Sequence, residues 1–468
     1  MDIGIIGLGP FCKQNYIKFI QKYKDDYNIN VEFLVDVIGD SESIASYLQK
    51  EGIAVEQLIF VEGEERFSPE IERNTIKQLE VILEHKKIDV VIISTEPKSH
   101  FKYLKFFIEK GIHIIVDKPP VAGFDYEFNT IISQRMILEK DNIIAMLNAK
   151  ADVKCLVTTQ RRSHKGFLCI KKLLGDIVNE YDLPINYMEC FHSDGMWNMP
   201  DELIYRENHP YRFGYGKIMH SGYHFIDMVF WLQEINKEIE KYSIASMKFS
   251  CQDFVKNIKI NNYEQLLKTK DFHRLLANHT LYRGFGEIDS YNIFQFKRED
   301  NSVISSCPVN LLQNSFSRRA WRELPEDMYK SNGRLRHEMW NIEIAPVLCI
   351  QIHSYQSFEN QNQEEEKSFK QGDVGSEDHF DINIFRNTQL IGGEGFEQIK
   401  LGVMEKDLMK ESRFTIIKQV FDYIKDKKDI KLESEFQDHN NTITAIAEIY
   451  NLYKSNQYVA HNIKYFNR

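Results

Sequence analysis

Along the first 160 residues, two hydrophobic patterns alternate. Short β-branched runs are followed by longer stretches with apolar residues at helical spacing. Residues 3–6 predict a strand. Residues 12–24 predict a helix, with Tyr16, Phe19, Ile20 and Tyr23 at i, i+3, i+4 and i+7. Residues 31–36 predict a second strand and 41–50 a second helix, with Ser41 placed to cap it. The run Asp-Val-Val-Ile-Ile-Ser-Thr at 89–95 has the continuous apolar character of a strand buried on both faces. A helix over 99–110, closed by Gly111, leads to a strand over 112–117, and 153–159 reads as the last strand of this part. Repeated βα units of this length imply a parallel sheet with right-handed crossovers, an α/β Rossmann domain.

Beyond residue 160 the pattern changes. Helices are expected over 223–233 and 413–425, separated by longer strands over 291–297, 342–353 and 379–385. The expected second domain is α+β, with a large, mainly antiparallel sheet carrying helices on one face. The boundaries expected are 1–160 and 161–468, with insertions around 235–290, 312–336 and 359–376. The last of these is rich in Gln and Glu.

The chain has 468 residues, enough for two separate cores. Its formal net charge of -10 argues against general nucleic-acid binding, which needs a basic face. The 7 cysteines contain no CxxC pair, so reduced thiols are expected rather than disulfides or zinc. No apolar run approaches the roughly 18 to 20 residues that span a bilayer. The first residues lack the basic segment and cleavage site of a secretory signal, so the expected location is cytoplasmic.

Candidate chemistry starts at Gly7-Leu8-Gly9-Pro10-Phe11-Cys12, between a strand and a helix. Gly7 permits a tight turn. Gly9 lets a pyrophosphate approach the backbone, and the helix N-terminus offers free N–H groups. Cys12 stands at the third glycine position and is small enough for close packing. Asp36 ends the second strand, where an acid accepts hydrogen bonds from an adenosine ribose. No Arg or Lys occurs in Val37-Ile38-Gly39-Asp40, so NAD is favoured as cofactor, with NADP as the alternative.

Two further segments extend this reading. Thr95-Glu96-Pro97-Lys98-Ser99-His100 follows one strand, and Asp117-Lys118-Pro119-Pro120 follows the next. With the glycine turn they resemble the Gfo/Idh/MocA family of oxidoreductases. That family carries Thr-Pro-Asn-x-x-His and Glu-Lys-Pro at these places. Thr95 and His100 match the first pattern and Lys118 and Pro119 the second, with Asp117 for Glu. Gly222, His224 and Asp227 match the family's Asp-x-Gly-x-His-x-x-Asp, while His220 replaces the leading Asp. Gln160-Arg161-Arg162 is similar to the family's link into its second domain, and Leu432-Glu433-Ser434 with the following helix resembles its C-terminal end.

The resemblance implies hydride transfer between a nicotinamide and a C–H/C=O carbon, often in a sugar or cyclitol. Thr95, His100, Asp117 and Lys118 would then serve the cofactor. Lys118 would stabilise alkoxide character on the reacting oxygen, and His224 would be the acid/base, since His titrates near neutral pH. His220, one helical turn earlier, would share its face and serve catalysis or substrate binding. An i, i+4 His pair also suits a metal, but no third ligand is apparent and none is expected. Asp227 is either a substrate contact or a buried hydrogen-bond acceptor. Arg161 and Arg162 would meet anionic substrate groups or form salt bridges. Trp197, with His192, Tyr205, Arg206 and His209, would line a site for a polyol or belong to the core. The resemblance also implies a homo-oligomer, formed through the open face of the second sheet. A different function stays open, a dinucleotide-binding regulator without turnover, because His220 departs from the family pattern. A third reading is a reductase of the same fold acting on an imine or tetrapyrrole.

Overall fold

The computed structural model describes residues 1–65, 68–123, 132–198, 200–206, 209–258, 278–316, 335–357, 379–401, 408–426 and 430–467. The expected insertion at 359–376 lies outside these residues, as do the central parts of the other two, 259–277 and 317–334. The chain forms two compact units. One comprises 1–164 with 409–447, the other 165–408 with 448–468. Among the described residues no helix is long and apolar enough to cross a membrane.

The first unit follows the alternation of the sequence. Its elements run β1 (Asp2–Ile6), α1 (Pro10–Tyr27), β2 (Asn30–Val37), α2 (Ser41–Glu51), β3 (Val55–Val61), α3 (Arg73–His85), β4 (Val90–Ile93), α4 (His100–Glu109), β5 (His113–Val116), α5 (Ile132–Ala149) and β6 (Cys155–Val157). The six strands are all parallel, in the order β3-β2-β1-β4-β5-β6. Helices cover both faces, so Val90, Val91, Ile92 and Ile93 of β4 are fully buried, which explains their uninterrupted apolar run. Pro10 opens α1 at a position where its missing N–H costs nothing. Ser41 is the first helical residue of α2 and not its cap; Asp40 precedes it and no side-chain cap bond forms. Three elements not among those expected, β3, α3 and α5, complete the unit.

Residues 409–447 pack on this same unit. Phe414, Ile417, Val420 and Phe421, from the helix Leu408–Asp426, join Tyr16, Phe19 and Ile20 of α1 in one core. Phe19 meets Phe421 at 5.0 Å between ring centroids. Each such ring contributes roughly 1.5–3 kcal/mol on burial. Ser434 then accepts the Val157 N–H at 2.9 Å on its carbonyl, and its hydroxyl meets Thr159 Oγ1 at 2.7 Å.

The second unit holds α6 (Lys165–Tyr181), β7 (Tyr187–Met196), α7 (Pro200–Tyr205), α8 (Tyr223–Gln233), β8 (Lys241–Ser250), β9 (Glu287–Lys297), β10 (Val303–Asn314), β11 (Leu335–Ile344), β12 (Leu348–Ser357), β13 (His379–Arg386), β14 (Phe396–Leu401) and β15 (Val459–Lys464). The strands form one nine-stranded sheet, β14-β13-β12-β11-β7-β10-β9-β8-β15. Its pairings are antiparallel except β7 with β10. The single strand expected over 342–353 is two strands. Pro346 has no N–H to donate to a ladder, and the chain turns there, with Val347 N–H on Ile344 O at 2.8 Å. Every residue of α8 is buried, as its nearly all-apolar sequence requires. Phe230 of α8 packs on Tyr242, Phe294 and Phe296, and Phe167 of α6 on Trp340 and Phe380, seating both helices on the sheet.

Candidate functional site

In the first unit three loops meet at the C-terminal ends of β1, β4 and β5. The order β2-β1-β4 reverses the chain's direction of progress across the sheet here, and such a switch point opens a ligand crevice in α/β sheets. Gly7 lies in the left-handed region, at φ +89°, and its N–H bonds Val35 O at 2.8 Å. A Cβ there would stand 2.7 Å from Ser94 O and 2.8 Å from Thr95 Cγ2, so only glycine lets the turn approach the β4 loop. Gly9 precedes α1 in extended geometry, and a Cβ on it would meet nothing within 4 Å. The space above the helix N-terminus is therefore open. Pro10 is exposed there, and Phe11 packs edge-on to Tyr16 at 5.9 Å. Cys12 is fully buried; burial, with the charges of Asp117 and Asp36, pushes its thiol well above the usual range. It fills the helix–strand contact and offers no thiolate.

Asp36 accepts the Leu8 N–H on Oδ2 at 2.6 Å and the Val37 N–H on Oδ1 at 2.7 Å. Burial raises its pKa, against these two bonds. The carboxylate is thus fixed to the glycine turn itself. Thr95 packs its methyl against Gly7. His100 is completely buried between the Thr95 carbonyl, 3.1 Å from Nε2, and the Pro119 carbonyl, 3.0 Å from Nδ1. Burial lowers its pKa to about 4, so the ring is neutral and ties the two loops together. Its place is under the crevice, not on its surface.

Asp117 is the most heavily bonded carboxylate of the crevice. Ser94 Oγ donates to Oδ2 at 2.5 Å, and Thr158 Oγ1 and Tyr16 OH donate to Oδ1 at 3.1 and 2.5 Å. Burial nevertheless lifts its pKa to about 6. Lys118 follows, half-buried, with a cis bond to Pro119. The sequence pattern did not reveal Tyr16, Ser94 and Thr158 as polar partners. Tyr16 carried only the signal of an apolar helix face.

Arg161 and Arg162 lie on a 3-10 turn (Gln160–Ser163) of this unit, both buried. Arg162 donates from Nη1 to Glu433 O at 3.2 Å and from Nη2 to Asp438 O at 3.3 Å. Its guanidinium holds the C-terminal return through these two carbonyls.

In the second unit His220 lies on a π-helical turn, Ile218–Gly222, which runs directly into α8. The expected regular helical turn before His224 is thus a π turn, a rare geometry often found at functional sites. The His220 ring is enclosed by His209, Tyr211 and Tyr215 at 4.9, 4.8 and 5.9 Å. His224 and Asp227 lie on α8, Asp227 fully buried. Trp197, partly buried, packs on Phe254 at 5.2 Å, at the edge of a satellite core that includes Leu203, Tyr211 and Tyr282. Arg206 is likewise internal, donating to Asn198 Oδ1 at 3.2 Å.

Beside the π turn stands a cluster that no local motif announced. Buried Lys217 donates to Asp194 Oδ2 at 2.5 Å and lies 3.0 Å from His192 Nδ1. Ser221 Oγ donates to the same Oδ2 at 2.7 Å, and Arg336 Nε lies 3.6 Å from Oδ1. Glu287 on β9 accepts the Ile218 N–H at 2.8 Å and the Tyr450 hydroxyl at 3.1 Å; burial raises its pKa to about 7. Asp289, raised to about 6 chiefly by burial, accepts the Gln313 N–H at 2.9 Å.

Comparison with known proteins agrees with this geometry. Residues 1–130 match the model of the oxidoreductase family with an NAD-binding Rossmann fold, Gfo/Idh/MocA. No protein of curated function matches the chain in sequence. Solved structures share the fold along nearly the whole chain. The transcriptional regulator Gal80p of Kluyveromyces lactis is 13% identical, with 98% of this chain and 90% of that chain covered and a TM-score of 0.56. An oxidoreductase from Agrobacterium radiobacter, in complex with NAD+, L-tartaric acid and magnesium, is 11% identical, with 98% of each chain covered and a TM-score of 0.56. The aldose-aldose oxidoreductase of Caulobacter crescentus, complexed with glycerol, is 12% identical, with 98% and 99% covered and a TM-score of 0.56. The match to the Gfo/Idh/MocA oxidoreductase family thus lies in residues 1–130, which hold the dinucleotide turn at Gly7 and Gly9 and the Asp117-Lys118-Pro119 loop.

Proposed function

We propose that the chain is an NAD-dependent oxidoreductase acting on a CH–OH or C=O carbon of a sugar, an inositol or a sugar derivative. The observation that carries this reading is the convergence of the glycine turn, Asp36 and Lys118 at one end of one parallel sheet.

The residues fit a dinucleotide. The open space at Gly9 admits a pyrophosphate against the N-terminus of α1. Asp36, pinned by Leu8, has lone pairs left for a ribose hydroxyl. Asp40 stands near it and no cation lies in residues 37–40, which disfavours a 2′-phosphate and supports NAD over NADP. When bound, the cofactor supplies the hydride acceptor or donor. The chain supplies the rest. Lys118 donates a hydrogen bond to the reacting oxygen and steadies its negative charge. His224 holds and returns the proton. His220 binds a substrate hydroxyl, and Asp227 orients α8 from inside. Arg161 and Trp197 are candidate substrate contacts. The glycerol and L-tartaric acid bound by two solved relatives support a hydroxylated ligand.

The test combines NADH binding by fluorescence with a screen of polyols against NAD and NADP. Turnover on a polyol is expected. Lys118→Ala should lose roughly a hundredfold or more in turnover with the cofactor dissociation constant within about twofold. A second reading, a regulator that binds the dinucleotide without turnover, is favoured by His220 in place of the family's Asp. The shared fold of a transcriptional regulator is compatible with it. Tight binding with no turnover on any polyol would select it.

A further inference from the structure

We propose that Asp194 and Lys217 are a positioning pair whose buried ion pair sets the π turn of His220 and the first turn of His224's helix. The inference rests on the oxidoreductase reading for what the two histidines do, but not for how they are held.

Lys217 and Ser221 stand on either side of His220, and both donate to one oxygen, Asp194 Oδ2, at 2.5 and 2.7 Å. A single carboxylate oxygen on β7 thus clamps the two flanks of the turn. The backbone is pinned at the same points. Gly216 lies so close to Glu287 that a Cβ would collide with its main chain. The Ile218 N–H is bound by the Glu287 carboxyl at 2.8 Å. A Cβ on Gly222 would stand 2.8 Å from Leu311 Cδ1. The turn is therefore held against β7, β9 and β10 at Gly216, Lys217, Ile218, Ser221 and Gly222, and His220 is carried between the fixed points.

The clamp continues into α8. Lys217 has only protons to offer, so the lone pair of His192 Nδ1 faces it and the ring is neutral, with its proton on Nε2. That ring stacks on Phe225 at 4.0 Å and 28°. Phe225 is the neighbour of His224, so the contact from Lys217 reaches the first turn of α8.

Burial argues that the pair serves geometry. The Lys217 and Asp194 side chains are 0% and 2% exposed. Desolvating two charges costs about as much as their attraction returns, so an apolar pair of equal volume would pack as stably. A hydrocarbon pair would offer neither the directed bond to Ser221 nor the bond to His192.

The test compares the full-length wild type with Asp194→Asn, Lys217→Met and the double variant. Melting temperature, NAD affinity, turnover and the carbethoxylation rates of His220 and His224, read by mass spectrometry, are measured for each. Each single variant should melt lower, because it takes from one buried charge its partner at 2.5 Å, although Asp194 keeps Arg336 at 3.6 Å. The double variant should recover most of that loss. Its histidines should still react about tenfold or more faster than in the wild type, and turnover should stay down by about tenfold at near-normal NAD affinity. A double variant that regains both the melting temperature and the wild-type histidine reactivity would overturn the proposal. Should no protein in the series turn over a polyol, the dehydrogenase reading fails, while melting and histidine reactivity still decide the role of the pair.

Discussion

Tyr16 donates its phenolic proton to Asp117 Oδ1 at 2.5 Å, so the helix that begins at the glycine turn also holds the residue before Lys118. Cofactor end and candidate catalytic end of the crevice share one side chain.

This bond makes the effect of Tyr16→Phe depend on pH. Burial raises Asp117 to about 6, and the Tyr16 bond lowers it. Stability tied to Asp117 is full at low pH and is lost as pH rises through the folded value. Without the hydroxyl that value rises further. Tyr16→Phe should cost about 1 kcal/mol at pH 5 and about 1.5–3 kcal/mol at pH 8, where the lost bond is to a charged group. Denaturant melts at the two pH values read the difference. Equal losses would show that the bond does not tune Asp117.

The two glycines of the turn should separate folding from binding. Gly7→Ala places a Cβ against Ser94 O at positive φ, so it should cost more than about 2 kcal/mol and lower the melting temperature clearly. Gly9→Ala meets nothing and its backbone is ordinary, so stability should change by less than about 0.5 kcal/mol. Its methyl enters the space of the pyrophosphate, and NADH affinity should fall by about tenfold or more. Unchanged affinity in Gly9→Ala would move the phosphate site elsewhere.

Asp36→Ala should change which cofactor is preferred. NAD affinity should fall about tenfold with the loss of a ribose acceptor, while NADP affinity holds or improves as a negative charge is removed. The ratio of the two dissociation constants checks this. A ratio unaltered by the substitution would leave Asp36 as a brace for Leu8 alone.

Glu287→Gln should stabilise the protein in alkaline solution. The carboxyl is buried and titrates at about 7 when folded, against an ordinary 4.5 for glutamate. Ionising it is a burden on the fold that grows as pH rises from 4.5 and is complete above 7, on the order of 3 kcal/mol. Gln keeps an oxygen for Ile218 N–H and Tyr450 and never ionises. Its melting temperature should exceed that of the wild type at pH 8.5 and match it at pH 5. The opposite order would mean that the carboxylate is bound by a cation when ionised.

Much of the first unit was legible from local pattern. The turn at Gly7 and Gly9 and the buried run at 90–93 follow from stereochemistry and periodicity within a few residues, while the loop at Lys118 was marked by its resemblance to a family motif. β3 was missed because Glu56, Gln57 and Leu58 are exposed and break the alternation. α5 was missed because its apolar and polar positions do not separate into faces. In the second unit, α8 was read correctly because all of its sides are buried, which leaves a dense apolar run.

The candidate site was legible only where a motif names its residue. Asp194 and Lys217 stand 23 positions apart, and neither sits in a pattern that assigns it chemistry. Tyr16 and Asp117 are 101 positions apart. The Arg pair after β6 suited an anionic substrate or salt bridges, and only the fold shows that Arg162 bonds two carbonyls 271 and 276 positions further along the chain.

Local order in the chain thus dictated the strands, the helices and the dinucleotide turn, since steric limits on φ and the spacing of apolar side chains act over a few residues. Tertiary packing decided that residues 409–447 return to the first unit, that His220 rides on a π turn, and that Asp194 meets Lys217. Those outcomes depend on which surfaces and charges burial brings together across long stretches of chain, and no local window of sequence contains both partners.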